Sequence, residues 1–281
     1  MVRKILVSVL IFVLLPLVVF AGTLKVFFLD VGEGEAIYIE TPNNKKVLID
    51  TGNLITGYKV VKFLKNRNVN KLDILIITHP HPDHMGGIFH VLQYLKVNTC
   101  YDNGQPLSQE SNNSIFKWYQ ELFRTKNYKV LRAFDKILLG KVSINILSPE
   151  KFTSNWNENS LVIKITYGLT SFLLMGDANI NIERELLKKG INLKADVLKV
   201  GHHGANDASS KEFIEAVSPK YAVISIDKHN IRGYPSEEVI ERLKGMGIEV
   251  FFTYRDGDIL FESDGKNVII KFLSNFIQEM N

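Results

Sequence analysis

The 281-residue sequence predicts an α/β fold of the αββα kind, two stacked mixed β-sheets with helices on both outer faces. Three observations point there. Apolar, β-branched-rich segments of strand length come in two successive runs. Each run is flanked by segments that space their apolar residues helically. No stretch rich in proline, glycine or serine divides residues 22–281, so they are expected to form one domain.

In the first run, residues 24–29, 36–40 and 47–50 read as strands, with Pro42-Asn43-Asn44 as a turn. Residues 58–65 have helical spacing, and Leu72-Asp73-Ile74-Leu75-Ile76-Ile77 has the length and branching of a buried strand. A helix is expected over 85–95, a polar loop over 101–113 and a further helix near 115–126. Short strands follow at 129–133, 136–139 and 143–147. The second run opens with strands at 161–167 and 171–175, then Gly176-Asp177 and a helix over 180–189. A strand at 195–200 ends at Gly201-His202-His203-Gly204. The remaining elements are a strand at 221–226, a helix over 236–245 and strands at 248–253, 258–262 and 267–272.

Residues 1–21 stand apart. Arg3 and Lys4 precede a mostly apolar run from Ile5 to Phe20, and Val19-Phe20-Ala21 lies before Gly22 as a small-residue cleavage pattern. This is the layout of a secretory signal peptide, with an uncleaved N-terminal anchor as the alternative. Either way the domain is expected to be secreted or periplasmic, that is, extracytoplasmic. No cysteine follows Ala21 or Gly22 to accept a lipid, and no second apolar stretch approaches membrane length, which argues against a channel. Cys100 is the only cysteine, so no disulfide forms within the chain and stability rests on the core. With 46% hydrophobic residues the chain is able to build one. The net charge of +4 includes Arg3 and Lys4, so the domain is only weakly basic, which neither requires nor excludes nucleic acid.

The densest chemistry lies in Thr78-His79-Pro80-His81-Pro82-Asp83-His84, directly after the buried strand. In extended geometry His79 and His81 point to the same side, and the turn into the next helix brings Asp83 and His84 round to face them. Imidazole and carboxylate are the ligands of borderline divalent metals, and four of them leave room for two adjacent ions. Other candidates stand where strands stop: Asp177 after Phe172-Leu173-Leu174-Met175-Gly176, His202 and His203 after Val197-Leu198-Lys199-Val200, and Asp50 after Val47-Leu48-Ile49. Singly, such an aspartate is a turn cap and such a histidine pair a hydrogen-bonded structural element. Beside the first motif they read as ligands.

These residues resemble the metallo-β-lactamase fold superfamily, and within it the extracellular hydrolase domain of the ComEC/Rec2 competence protein family. The likeness is carried by Phe28-Leu29-Asp30-Val31-Gly32-Glu33-Gly34-Glu35, Leu48-Ile49-Asp50-Thr51-Gly52 and His79-Pro80-His81-Pro82-Asp83-His84-Met85-Gly86-Gly87. It continues in Asn159-Ser160-Leu161-Val162, Leu174-Met175-Gly176-Asp177-Ala178 and Ala195-Asp196-Val197-Leu198-Lys199-Val200-Gly201-His202-His203-Gly204. The resemblance implies that His79 and His81 hold one metal, Asp83 and His84 a second, with Asp177 bridging. It also implies that His202 or His203 completes the first site and that Asp50 orients a ligand histidine. Asn159 and Tyr234 are further positions of interest. The family has histidine where Gly233-Tyr234-Pro235 carries Tyr234, so the second metal is expected to lack its third protein ligand.

The expected function is therefore an exported hydrolase with one or two divalent ions, Zn2+ or Mn2+. Its expected substrate is a phosphodiester such as DNA, attacked by water whose pKa the metal lowers towards about 7. Asp83, His84 and Asp177 are the residues expected at the reacting centre. The competence proteins join this domain to membrane channel helices, which this sequence does not contain, so DNA uptake is not inferred. The alternatives are hydrolysis of another bond, a phosphocholine ester or a β-lactam amide, and a non-catalytic metal-binding scaffold.

Overall fold

The computed structural model describes residues 22–106 and 114–272. The signal-peptide reading of residues 1–21 and the distal part of the expected loop, 107–113, lie outside the described residues.

The first half of the chain runs β1 (Leu24–Phe28), β2 (Ile37–Glu40), β3 (Lys46–Ile49), α1 (Tyr58–Asn66), β4 (Lys71–Ile77), α2 (Pro82–Met85) and α3 (Ile88–Tyr94). It continues with β5 (Lys96–Asp102), α4 (Ser114–Arg124), β6 (Tyr128–Val130), β7 (Lys136–Leu139) and β8 (Val142–Ser148). The second half adds β9 (Val162–Tyr167), β10 (Thr170–Leu174), α5 (Ile180–Lys188), β11 (Val197–Lys199), a 3-10 turn at Gly201–Gly204 and α6 (Lys211–Val217). It ends with β12 (Tyr221–Ile224), α7 (Glu237–Gly245), β13 (Glu249–Phe252), α8 (Thr253–Asp256), β14 (Ile259–Ser263) and β15 (Val268–Phe272).

The strands form an eight-stranded sheet, β15-β14-β1-β2-β3-β4-β5-β6, and a seven-stranded sheet, β13-β12-β11-β10-β9-β8-β7. Both are mixed: hairpin-linked strands pair antiparallel, whereas β3 to β6 and β10 to β13 pair parallel. The period-two alternation of each strand divides its side chains between two layers. Val26 and Phe28 face the opposite sheet while Phe27 faces the helices, and Phe172 and Leu174 likewise point opposite to Leu173. Helices α1, α3 and α4 cover the first sheet through Val60, Leu64, Ile88, Val91 and Phe116. Helices α5, α6 and α7 cover the second through Ile182, Leu186, Phe213, Ile214, Val239 and Leu243. This is the αββα sandwich the sequence predicts; each such side chain taken fully from water contributes roughly 1.5–3 kcal/mol.

Three elements differ from expectation. The single helix over 85–95 is broken into α2 and α3 at Gly86 and Gly87, because the 51–54 segment packs directly on that backbone. A Cβ on Gly87 would lie 1.9 Å from the Thr51 carbonyl oxygen, and one on Gly86 2.5 Å from the Leu54 nitrogen. Strand β5 occupies residues expected to be coil in part, since Lys96, Asn98 and Thr99 mask its periodicity. Helix α6 was not anticipated, although Phe213, Ile214 and Val217 bury one helical face.

What matters for function is where the parallel strands end. β3, β4, β10, β11 and β12 all deliver their carboxyl ends to one edge of the sandwich. There the chain turns at Asp50, Thr78, Met175, Val200 and Ser225.

Candidate metal centre

Beyond β4 the chain bends at Thr78 and His79 and is extended again at His81, and Pro82 starts α2 at the first helical position, where its fixed φ fits and its missing N–H costs nothing. The His81 carbonyl accepts the His84 and Met85 amides, so Asp83 and His84 turn back beneath the two preceding histidines. His79 Nε2 lies 3.0 Å from His81 Nδ1, and the other His79 nitrogen is held between the hydroxyls of Thr78 and Ser160, each at 3.2 Å. Trp156 stacks on His81 with ring centroids 5.6 Å apart and closes that side of the site.

Asp177 follows Gly176, whose φ of +53° turns β10 sharply at its end, and its amide donates to Ser160 Oγ at 3.1 Å. Asp177 Oδ2 lies 3.5 Å from His79 Nε2, while Oδ1 lies 3.1 Å from His84 Nε2 and 3.5 Å from His203 Nε2. One carboxylate thus faces both halves of the site. Two compact donor groups result: His79, His81 and Asp177, and beside them Asp83, His84 and His203, the ligand atoms within each lying inside 4.8 Å of one another.

The orientation of the imidazoles is set from behind. His84 donates its Nδ1 proton to Asp50 Oδ2 at 2.7 Å, and Asp50 also accepts the Thr78 amide and hydroxyl at 2.8 and 2.7 Å. His203 donates Nδ1–H to the Ser225 carbonyl at 2.7 Å. In both rings Nε2 is left to present its lone pair to the centre. Asp50, His202 and His203 all have positive φ, 57°, 47° and 53°, a left-handed geometry costing about 1–2 kcal/mol each and characteristic of functional sites.

The electrostatics agree with a cation site. Burial and the neighbouring His79 push the His81 imidazole down to about 3, so it is neutral at physiological pH. Burial likewise lowers His203, with Lys199 adding to the effect. For His84, burial is outweighed by Asp177 and Asp50, which raise it well above its ordinary range. For Asp177, burial is outweighed by His84 and His203, and for Asp83 mainly by His84; both carboxyls are held low. His84 Nε2, Asp177 Oδ1 and His203 Nε2 are buried, face one another and have no hydrogen bond in good alignment. Buried polar atoms normally find a partner. A divalent ion held by these residues would give all three a partner, and a set of four imidazoles and two carboxylates suits zinc or manganese.

Two placements differ from the expectation. His203 lies with Asp83 and His84, not with His79 and His81, because the left-handed turn and the Ser225 bond aim its Nε2 across the centre. The Asp83 group therefore has a third potential donor without a histidine at position 234. His202 falls outside both groups: its Nδ1 donates to Asp207 at 2.9 Å, its Nε2 meets the Asn157 amide at 3.1 Å, and its ring packs on Tyr234 at 5.3 Å. Tyr234 itself is partly buried, which raises its phenol further from ionisation. Asn159 uses its carboxamide to hold Thr153 N and O, and so shapes the loop before β9. His229 is exposed, and Trp118 stacks on Phe89 with 62% of its surface in solvent.

Sequence reasoning missed several residues of the site. Thr78, Ser160 and the Ser225 carbonyl position imidazoles. Lys199 Nζ and Glu35 Oε2 form a fully buried pair at 2.6 Å just behind the centre, and Arg232 reaches Asp83 at its mouth. The lysine was legible, standing alone in the apolar run Val197-Leu198-Lys199-Val200.

A family model described as the metallo-β-lactamase superfamily matches residues 29–229. The chain is 30% identical over 255 residues to ComE operon protein 3 of Bacillus subtilis, covering 84% of this chain but only 33% of that protein. It therefore spans about a third of the length of that competence-operon relative. It is 40% identical over 248 residues to an exodeoxyribonuclease, WalJ, of Streptococcus pneumoniae, covering 79% of this chain and 90% of that one. Among solved structures, the metallo-β-lactamase fold protein YhfI of Bacillus subtilis matches 85% of this chain and 100% of its own, with a TM-score of 0.57 at 12% identity. No helix among the described residues is long and apolar enough to cross a membrane.

Proposed function

The chain belongs to the metallo-β-lactamase superfamily, and from that premise we propose that it is an exported, divalent-metal-dependent hydrolase of phosphodiester bonds, with DNA as its substrate. The observation that carries this reading is the position of Asp177, whose Oδ2 faces His79 of its own donor group while Oδ1 faces His84 and His203 of the other. Similarity to a protein named as an exodeoxyribonuclease, over most of both chains, supports DNA as the substrate.

His79, His81 and Asp177 would hold one ion, and Asp83, His84 and His203 a second, with Asp177 shared. Bound there, a divalent ion supplies a Lewis acid and lowers the pKa of water to the neutral range. The protein's own part is preorganisation. Asp50 and the Ser225 carbonyl fix the tautomers of His84 and His203, while Thr78 and Ser160 steady His79. Asp83, with one oxygen 3.7 Å from His203 Nε2, would orient the attacking nucleophile. Trp156 keeps solvent off the His81 face. With two divalent cations bound, four neutral imidazoles and only two carboxylates would leave the centre net positive, which favours an anionic diester over a neutral amide.

The test is turnover of the purified chain, with added Mn2+ or Zn2+, on single- and double-stranded DNA, bis-p-nitrophenyl phosphate, p-nitrophenylphosphorylcholine and nitrocefin. Hydrolysis of DNA and the diester that chelator abolishes is expected. Turnover confined to the choline ester or to nitrocefin would move the substrate class. Retention of no metal and no turnover on any substrate would leave a binding scaffold.

A further inference from the structure

Arg232 is placed where neither fold nor core requires it. It lies on the loop between β12 and α7, is 46% exposed at the side chain, and projects to the mouth of the centre. Its Nε meets Glu33 Oε1 at 3.0 Å and its Nη1 meets Asp83 Oδ2 at 3.3 Å. The loop is braced for this. The Asn230 side chain accepts the Arg232 amide at 2.6 Å and donates to the Tyr234 carbonyl at 2.7 Å, and the Ser236 amide donates to Gly204 O, next to His203, at 2.9 Å. The Glu33 backbone is held in turn, its carbonyl accepting Asn53 Nδ2 at 2.9 Å.

An exposed ion pair of this type contributes little to stability. A guanidinium, however, carries five N–H donors in a fixed fork, and the contacts with Glu33 and Asp83 engage only Nε and Nη1. Glu33 and Asp83 hold the guanidinium at the mouth of the centre through those two atoms, and its remaining N–H donors are left for an anionic ligand. We propose that Arg232, aimed by Glu33, is a phosphate-binding subsite for the nucleic-acid strand, gripping a phosphate next to the one at the metal centre. This rests on the phosphodiesterase reading above.

The test uses the full chain loaded with Mn2+ and a fluorescein-labelled, phosphorothioate-protected single-stranded DNA oligonucleotide, with binding followed by anisotropy across a salt series. Arg232→Ala is expected to weaken binding about ten- to hundredfold, the size of one charge-assisted hydrogen bond. It should also flatten the log–log salt slope by about 0.7. Arg232→Lys should keep the slope but recover only part of the affinity, because a point charge replaces a fork. On unprotected DNA the loss should fall mainly on KM. Unchanged affinity and slope in Arg232→Ala would overturn the subsite, whether or not the wild type cleaves DNA. So would loss of bound manganese from that variant, since Arg232 would then act by holding Asp83. A wild type that binds with the Arg232-dependent slope yet cleaves no diester would keep the subsite and overturn the hydrolase reading.

Discussion

His84 donates Nδ1–H to Asp50 across 2.7 Å with both side chains wholly buried, and the same ring presents Nε2 to Asp177 at 3.1 Å. The strand end that supplies Asp50 and the helix turn that supplies His84 are thereby tied in one line of charge, Asp50–His84–Asp177. Carboxylates that orient a ligand histidine commonly account for 10–100-fold in metal affinity. Asp50→Ala should lose about that much, read by competition with a chelating dye. It should also lower the denaturation midpoint, because the Thr78 amide and hydroxyl lose their acceptor. An unchanged affinity would mean that His84 is oriented by packing alone.

The adjacent histidines should behave differently. His203→Ala removes one of three donors from the Asp83 group and should reduce bound metal. His202→Ala and Tyr234→Phe should retain it, since that ring pair lies outside both groups. Metal analysis by plasma mass spectrometry after gel filtration decides the matter. The opposite ranking would return the ligand role to His202.

Proton linkage gives a third expectation. In metal-free protein, the raised His84 contributes stability that is complete below its ordinary 6.5 and is lost as pH rises through the higher folded value. The depressed Asp177 contributes stability that is complete above its ordinary 3.8 and is lost as pH falls through the lower folded value. The depressed His81 and His203 work in the opposite sense to His84, their contribution being complete above 6.5 and lost as pH falls below it. Denaturation midpoints of the apoprotein should therefore be highest near 6.5 and fall on either side. Metal uptake at neutral pH should expel the His84 proton, so calorimetry in buffers of different ionisation heat should detect its release. A midpoint that keeps rising through pH 8, with no proton released, would show His84 neutral in the apoprotein.

The Lys199–Glu35 pair joins the two sheets, Lys199 from β11 and Glu35 from the segment before β2, with both side chains fully buried. The Glu35 amide also donates to the Asp83 carbonyl at 3.1 Å, so the pair ties the His203 turn to the Asp83 turn. Lys199→Met leaves a buried carboxylate without its partner and should cost about 3–5 kcal/mol in urea unfolding. Adding Glu35→Leu should recover most of that stability while leaving metal affinity reduced. Full recovery of both would make the pair a packing element with no bearing on the centre.

Much of this was legible in the sequence, for reasons that differ by residue. Runs such as Leu72 to Ile77 are apolar enough to identify themselves, and candidate ligands placed where a strand stops, Asp177 and the His79–His84 motif, inherit that clarity. Strand β5 was obscured because Lys96, Asn98 and Thr99 in its first half are polar, leaving Cys100 and Asp102 to mark its buried end. Assigning His203 over His202 depended on two consecutive left-handed residues and on a backbone carbonyl, neither of which side-chain identity reports. Arg232 acts across 149 positions from Asp83, from a loop with no periodicity to read.

The convergence of six side chains on a shared cation site is the claim on which the rest depends. Anomalous diffraction from crystals of the manganese-loaded chain measures it directly. The account predicts a peak in coordination distance of Asp177 beside His79 and His81, and at full loading a second beside Asp83, His84 and His203. No peak against Asp177 under loading conditions, or manganese bound only elsewhere on the protein, would contradict it.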